Sequence, residues 1–388
     1  MEWEEANGFF EELERAAKKC RECGACASVC DISRALNGVA PGIAVRGALL
    51  GREDARTSWF IPRCSLCRAC VGVCPEHIDT PRLVVAARSF MRERGCLDMS
   101  RYAAMYVDYD ANAISLFRDT YGLDYPFFPE GKYQVLYLPG CSLLNEGPEL
   151  TSPAVAWLGE ALGVKVGLMG DCCGMPLYEM GLLERAKAFE DGLWQKIHAT
   201  GATTLVLACP NCMGTLAERG KKEGVQVVSI YEIMARAGFR APVVLDGTIT
   251  IHDSCPARFT DLGKYVRAIL SDYDVVEMEH SGCDSICCGS GGAVAMFDPT
   301  VSSIRAERRI SEFKAAGAKY CVTYCMSSCG TLTGECTFNL IKHVLELCFN
   351  VELDHERYQN QVNAMWSGDM GTRNAYRLEH AQFREGLV

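Results

Sequence analysis

Two adjacent cysteines stand in front of a glycine at two places in the chain, "DCCG" at 171–174 and "ICCG" at 286–289. Neighbouring Cα atoms are only about 3.8 Å apart, which is closer than an ordinary disulfide allows. Each pair follows a strand-like run, "YQVLYLPGC" or "TITIHDSC", and 30 residues separate Cys141 from the first pair and 31 separate Cys255 from the second. Further along, "GATTLVLACPNCMGTL" parallels "GAKYCVTYCMSSCGTL". The spacing indicates an internal duplication of roughly 110 residues.

The duplicated part predicts an α/β fold. Short β-like runs alternate with helical segments through residues 133–242 and again through 243–350. This alternation is typical of parallel sheets covered by helices. The cysteines follow the predicted strands, and the carboxyl ends of strands are where open α/β sheets carry their sites. We therefore expect two half-domains whose cysteines gather at equivalent ends of their sheets.

The N-terminal part, residues 1–100, carries two copies of the spacing C-x2-C-x2-C-x3-C, the second followed by a proline. In bacterial ferredoxins with this spacing, the fourth cysteine of each run ligates the other of two clusters. We therefore predict two cubane [4Fe–4S] clusters. One would be held by Cys20, Cys23, Cys26 and Cys74, and the other by Cys64, Cys67, Cys70 and Cys30. The flanking segments look helical, so the overall prediction is α+α/β: a helical two-cluster ferredoxin module followed by a duplicated α/β domain.

Composition narrows the class of protein. The chain has 23 cysteines in 388 residues, but its start lacks the basic and apolar regions of a secretory signal. Clustered cysteines in such a chain favour metal sites over a disulfide scaffold. The formal net charge of −10 argues against nucleic acid as a partner. Because no apolar run reaches about 18 residues, no direct membrane span is expected. We expect a cytoplasmic protein.

Each half of the duplication supplies five cysteines, one more than a zinc site or a cubane cluster takes. The first set is Cys141, Cys172, Cys173, Cys209 and Cys212, and the second is Cys255, Cys287, Cys288, Cys325 and Cys329. The surplus suggests an unusual cluster. The glycine after each pair lets the backbone turn tightly beside the sulfurs. The loop "GSGGA" at 289–293 is either a nest of N–H groups facing an anionic cluster or a plain turn before a helix.

The duplicated arrangement Cys…CysCysGly…Cys-x2-Cys resembles the cysteine-rich CCG domain of heterodisulfide reductase catalytic subunits. With the ferredoxin module in front, residues 15–350 resemble the single-chain catalytic subunit of that enzyme, its D subunit, or a fusion of its C and B subunits. The resemblance implies that one or two non-cubane [4Fe–4S] clusters occupy the CCG domain. It also implies that a disulfide substrate is reduced between the two five-cysteine sets.

Two functions follow from this resemblance. The first is an iron–sulfur oxidoreductase subunit that passes electrons through its cubane clusters to the CCG domain for disulfide/thiol chemistry on a small molecule. The alternative is an electron-transfer subunit of a larger anaerobic respiratory or electron-bifurcating complex that reduces no disulfide itself. The chain has no flavin or nucleotide motif, so both functions require a flavoprotein or another electron-donating subunit as partner. Any attachment to a membrane would run through a partner subunit.

The second half departs from the family pattern at its last two cysteines. The first half ends in "CPNC" and the second in "CMSSC". Pairing Cys325 with Cys209 predicts one inserted residue before Cys329. Either Cys329 reaches the metal through a wider loop, or the second site holds a different cluster form.

His252 is the candidate catalytic residue outside the cysteine sets. It lies three residues before Cys255, and an imidazole can donate a proton to a thiolate product near neutral pH. The alternative is a hydrogen-bonded core histidine. Residues 101–132 are predicted to be a linker or interdomain packing segment. Residues 351–388 are predicted to be a tail that carries no cluster ligand and either wraps its own core or docks a partner.

Overall fold

The computed structural model describes residues 13–34, 39–51 and 54–384, so residues 1–12 of the predicted N-terminal domain lie outside it. A helical N-terminal part packs against two parallel sheets, and helices near the C-terminus complete the molecule. This architecture confirms the predicted fold class.

The N-terminal part is helical, and its cysteine runs lie in loops and single helical turns. A helical stretch covers 13–18. The helices that follow are α1 Ala25–Ser28, α2 Pro41–Leu49, α3 Ala55–Phe60, α4 Ala69–Gly72 and α5 Thr80–Glu93. Asp54 and Asp79 begin α3 and α5 by accepting hydrogen bonds from backbone N–H groups of the first turn. The short helices α1 and α4 lie inside the two cysteine runs, so each run is held close to helical geometry.

The first half forms a four-stranded parallel sheet in the order β2-β1-β3-β4. Its strands are β1 Val135–Leu138, β2 Val166–Leu168, β3 Thr204–Leu207 and β4 Gln226–Ser229. The helices from residue 113 to the end of this half are α6 Ala113–Tyr121, α7 Cys141–Glu146, α8 Thr151–Leu162, α9 Met175–Glu179, α10 Leu183–Thr200, α11 Pro210–Glu223 and α12 Ile230–Arg236. All four residues of β1 are buried, because helices cover both faces of the sheet.

The second half repeats this topology. A three-stranded parallel sheet in the order β5-β6-β7 contains β5 Ile249–His252, β6 Tyr320–Thr323 and β7 Ile341–His343. A parallel bridge between Ile249 and Val275 stands where β2 pairs with β1 in the first half. The helices of this half are α13 Leu262–Ile269, α14 Val294–Phe297, α15 Pro299–Ala316, α16 Met326–Gly334 and α17 Val344–Phe349. The matching strand order shows that the duplication in the sequence is a duplication in the fold.

The segments predicted as linker and tail pack on one another. Helix α6 from the first contacts α18 (His355–Met365) and α19 (Gly368–Glu379) from the second, with Leu116, Phe117 and Met365 in one buried cluster. The C-terminal segment therefore lies against its own chain. No helix in the described ranges has the length and apolar character needed to cross a membrane.

The buried Arg88 of α5 ties the three parts together. Its guanidinium donates hydrogen bonds to the carbonyl oxygens of Cys64 at 2.6 Å, Glu179 at 2.5 Å and Gly292 at 3.0 Å. These acceptors belong to the second ferredoxin-type run, the first half and the second half. A buried guanidinium is stable only when such partners satisfy it, so Arg88 holds the module against both halves.

Candidate metal centres

The two ferredoxin-type runs bring their cysteines together in the crossed arrangement expected from the sequence. Cys20, Cys23, Cys26 and Cys74 line one small cavity of about 30 Å³. In the other group, Cys30 lies beside Cys64 and Cys67, and Cys70 lies beside all three. Burial raises the pKa of Cys30 to about 11, so a bound metal ion would be needed to keep that sulfur as a thiolate.

The first half gathers its five cysteines into one centre. Cys141 begins α7 after β1, Cys172 and Cys173 follow β2, and the other two lie at the start of α11. The thiols of Cys172 and Cys212 donate hydrogen bonds to the sulfur of Cys173, which lowers its pKa. All five cysteines line a cavity of about 550 Å³. The side chains follow three neighbouring strands, which is why residues distant in sequence meet here.

Gly140 shows how tightly this centre is built. Its φ of +98° is in the left-handed region, and a Cβ at this position would lie 2.7 Å from the Cβ of Cys209. A side chain would therefore collide with a ligand residue. Only glycine lets the loop before Cys141 pass this close.

The second half brings four of its five predicted cysteines to one cavity. Cys255, Cys287, Cys288 and Cys325 line a space of about 470 Å³ between the ferredoxin module and this half. Ser328 also lines this cavity, where a fifth cysteine was expected, and its Oγ lies 3.2 Å from the Sγ of Cys288. The structure does not bring Cys329 to this cavity.

The sequence predicted one inserted residue before Cys329, and the helical register shows that this prediction is wrong. The N–H of Met213 donates to the carbonyl of Cys209 at 3.1 Å, and the N–H of Cys329 donates to that of Cys325 at 2.9 Å. Cys329 is therefore the equivalent of Met213, and Ser328 is the equivalent of Cys212. No residue is inserted, because both helices begin directly after the paired cysteine.

A second pair of hydrogen bonds gives the same register two residues further along each helix. The hydroxyl of Thr215 donates to the carbonyl of Asn211 at 2.9 Å, and that of Thr331 donates to Ser327 at 2.8 Å. The sequence carries this signal too, since "CPNCMGTL" and "CMSSCGTL" have equal length.

Cys329 instead belongs to a buried polar group with residues of α7, α17 and α18. Its Sγ lies 3.7 Å from Nε2 of His355, whose Nδ1 lies 3.2 Å from Glu146. Burial opposes protonation of His355, but hydrogen bonds with Cys329, Glu146 and Glu346 outweigh it and raise the pKa to about 12. This imidazolium between buried carboxylates was not expected from the sequence, because its members are distant in the chain.

Three of the four cysteine groups form one continuous series: the second ferredoxin-type group, the second CCG centre and the first CCG centre. Cys67, from the second ferredoxin-type group, accepts hydrogen bonds from the thiols of Cys255 and Cys287, which lowers its pKa. At the other side of the second centre, the thiol of Cys325 donates to the sulfur of Cys209 in the first centre. The second centre therefore lies between the ferredoxin module and the first centre.

Buried arginines surround these groups. Arg258 is buried and donates to the carbonyl oxygen of Cys67 at 3.2 Å. Arg309 lies near Cys288, and Arg118 lies near Cys141. Buried Nη2 atoms of both Arg309 and Arg118 have no hydrogen-bond partner among the described residues. Buried positive charge with spare N–H groups suits thiolate-bound clusters, which are anionic. None of the 23 cysteines forms a disulfide, so all of their thiols are available as ligands. The groups of four or five cysteines therefore fit iron–sulfur clusters.

Glu179 is the acidic side chain at the boundary of the two large cavities, and it lines both. Burial raises its pKa to about 7, although its carboxylate accepts the N–H of Gly292 at 3.1 Å. Sequence reasoning missed this residue. The sequence feature that could have identified it is its position five residues after the first CCG motif.

His252 lies at the end of β5 and lines neither cavity. Its Nδ1 accepts a hydrogen bond from Nε of Arg309 at 2.9 Å. Burial, followed by the charge of Arg309, lowers the pKa of His252 well below its usual value. This environment favours a neutral ring that positions Arg309 near Cys288.

Comparisons with known proteins agree with this arrangement. The family model described as "4Fe-4S dicluster domain" matches residues 16–78, and the one described as "Cysteine-rich domain", or CCG, matches 135–217 and 249–332. The chain is 25% identical to an uncharacterized iron–sulfur protein of Methanococcus maripaludis over 79% of this chain and 65% of that protein. The chain thus spans about two thirds of the length of that relative.

Relatives that carry the name of an enzyme come from Methanosarcina species. The chain is 24% identical to the D subunit of the dihydromethanophenazine:CoB–CoM heterodisulfide reductase of Methanosarcina acetivorans, over 76% of this chain and 82% of that protein. It is also 24% identical to the protein of that name from Methanosarcina mazei, over 79% of this chain and 86% of that protein.

The fold and the cysteine centres define the class of protein: an iron–sulfur protein that transfers electrons in oxidation–reduction reactions. The chain belongs to the CCG-domain iron–sulfur proteins related to the D subunit of heterodisulfide reductase. The expectation drawn from the cysteine motifs is confirmed at this level.

Proposed function

We propose that the chain is the disulfide-active subunit of an oxidoreductase complex, with thiol–disulfide chemistry at the first CCG centre. The observation that carries this proposal is the continuous series of cysteine groups, which ends at the five-cysteine centre and its cavity of about 550 Å³. When bound, iron–sulfur clusters carry single electrons. Reduction of a disulfide takes two electrons and two protons, breaks one S–S bond and yields two thiols.

The cavity beside the first centre favours an apolar thiol. Phe117, Tyr358 and Trp366 are among its lining residues, and none of the lysines or arginines in the described ranges lines it. An apolar wall excludes water and offers no counter-ion for an anionic substituent. Glu179 is the acidic residue of this wall, and with a pKa of about 7 it is partly protonated near neutral pH. We assign it the delivery of a proton to a thiolate product.

Electrons would enter through the ferredoxin module. Cys23, in the first ferredoxin-type group, is exposed, whereas the cysteines of both CCG centres are buried or half-buried. A docked flavoprotein or other electron-donating subunit would therefore approach this group. The same exposure favours the alternative function, a relay subunit that exchanges electrons with a partner and turns over no disulfide.

The test is iron content and electron paramagnetic resonance (EPR) on anaerobically purified protein, oxidised with and without a thiol. We expect about sixteen iron atoms per chain if four [4Fe–4S] clusters are bound. A paramagnetic signal that appears only with thiol is also expected, stronger with propanethiol than with the sulfonated coenzyme M. An unchanged spectrum with both thiols, together with no disulfide turnover by the reduced protein, would establish the relay function instead.

A further inference from the structure

The second CCG centre differs from the first at one ligand position. The first cavity is lined by five cysteines, whereas the equivalent positions of the second cavity are four cysteines and Ser328. The Ser328 hydroxyl faces Cys288 at 3.2 Å. A neutral hydroxyl is a hard oxygen donor, whereas iron–sulfur clusters select soft thiolates. Ser328 is therefore a hydrogen-bonding neighbour of the ligand set.

Cys329 cannot replace the missing ligand without rebuilding its helix. Consecutive residues of an α-helix point about 100° apart, so Ser328 and Cys329 face different sides of α16. Cys329 is fully buried beside His355. The next residue, Gly330, packs so closely on Glu146 that a Cβ there would lie 2.8 Å from the carboxylate. The start of α16 is therefore fixed in its present rotation by α7 and by the C-terminal helix α18.

We infer that the second centre binds a four-thiolate, cubane-type [4Fe–4S] cluster through Cys255, Cys287, Cys288 and Cys325, and that the first centre alone has the five-thiolate set. This inference rests on the proposed function, and it assigns the two CCG centres different tasks. Four thiolates are the full ligand number of a cubane cluster. The second centre is then a relay, and substrate thiol chemistry is confined to the first.

The position of the second centre agrees with a relay. Its cavity is also lined by Ser65 and Leu66, from the second ferredoxin-type run, and by Asn211, which lies between Cys209 and Cys212 of the first centre. A centre between an electron source and a reactive site needs neighbours on both sides. The first centre, at the end of the series, has the apolar cavity instead.

The experiment uses the full chain purified anaerobically, with iron analysis and Mössbauer spectroscopy without added thiol. In the wild type we expect about twelve irons in cubane-type environments and about four in a non-cubane environment. Cys329→Ser should keep all of the iron and the same spectrum. Cys348→Ser is the matched control, since Cys348 is also buried and lies in neither cavity.

Two further variants exchange the sets of cysteine ligands between the two CCG centres. Cys212→Ser gives the first half the ligand set of the second and should abolish the non-cubane component. Ser328→Cys supplies the fifth thiol and should convert about four irons to the non-cubane environment. Loss of about four irons in Cys329→Ser, but not in Cys348→Ser, would overturn the inference. A wild-type spectrum with two non-cubane clusters would overturn it as well.

These readouts separate the inference from the proposed function. The cluster types are measured without thiol or disulfide. The expected twelve-to-four division with no thiol response would leave the inference standing and refute the disulfide chemistry. Two non-cubane clusters with a thiol response would do the reverse.

Discussion

At the scale of single residues, Glu179 combines the features that proton transfer requires. It lines both large cavities, it is buried, and its pKa is raised to about 7 from a usual value of 4.5. A carboxyl group with a raised pKa favours the folded state most when it is protonated. Its stabilising contribution is therefore complete below pH 4.5 and is lost as the pH rises through about 7.

Glu179→Gln should remove this pH dependence, because glutamine resembles the protonated carboxyl. At pH 8 we expect the variant to exceed the wild type in free energy of unfolding by up to about 3 kcal/mol, at 1.36 kcal/mol per pKa unit. Below pH 4.5 the two should be equal. Anaerobic urea unfolding across this range measures the difference, and an equal difference at pH 4 and pH 8 would contradict the assignment.

The same Glu179→Gln variant should lower the rate of disulfide turnover by about 10²-fold if Glu179 supplies the proton.

At the scale of elements, the "GSGGA" loop joins the second centre to the ferredoxin module. The N–H of Gly289 donates to the sulfur of Cys287 at 3.3 Å, as a nest beside the centre would require. Gly292 has a φ of +68°, and a Cβ there would lie 2.4 Å from the carbonyl oxygen of Cys64. The loop thus serves both the centre and the contact with the second ferredoxin-type run.

Gly292→Ala should weaken this contact. We expect a cost of about 1–2 kcal/mol from the left-handed backbone alone, plus a further loss because the Cys64 loop must move. Gly317→Ala is the matched control, since Gly317 has a φ of +72° and no atom within 4 Å of a Cβ. Urea unfolding and iron content measure both variants. Equal destabilisation of the two would show that the close packing against Cys64 contributes nothing.

At the scale of the whole molecule, the C-terminal segment closes over the first centre. Arg384 forms a two-pronged ion pair with the buried Asp171, at 2.9 Å to each carboxylate oxygen. Asp171 also accepts the N–H of Cys172 at 2.8 Å. Tyr358 and Trp366 of the same segment line the cavity. The end of the described chain is thereby connected to the first CCG motif.

Arg384→Ala should therefore destabilise the protein by about 3–5 kcal/mol, because it leaves the carboxylate of Asp171 buried without its partner. The control is Arg377→Ala, since Arg377 pairs at 2.6 Å with the exposed Asp119. A surface pair of that kind contributes about 0–1 kcal/mol. Limited proteolysis should release α18 and α19 faster in the first variant only. Equal cleavage rates would show that this ion pair does not hold the segment.

The sequence by itself determined the cysteine runs, the crossed ferredoxin-type groups, the duplication and the parallel sheets. Those features depend on local spacing, because residues a few positions apart share a loop or a helical turn whatever lies around them. Only the tertiary structure decided that the second centre lies between Cys67 and Cys209. It also decided the place of Glu179 between the cavities. Such relations depend on how distant elements pack, and the spacing of residues along one chain does not encode them.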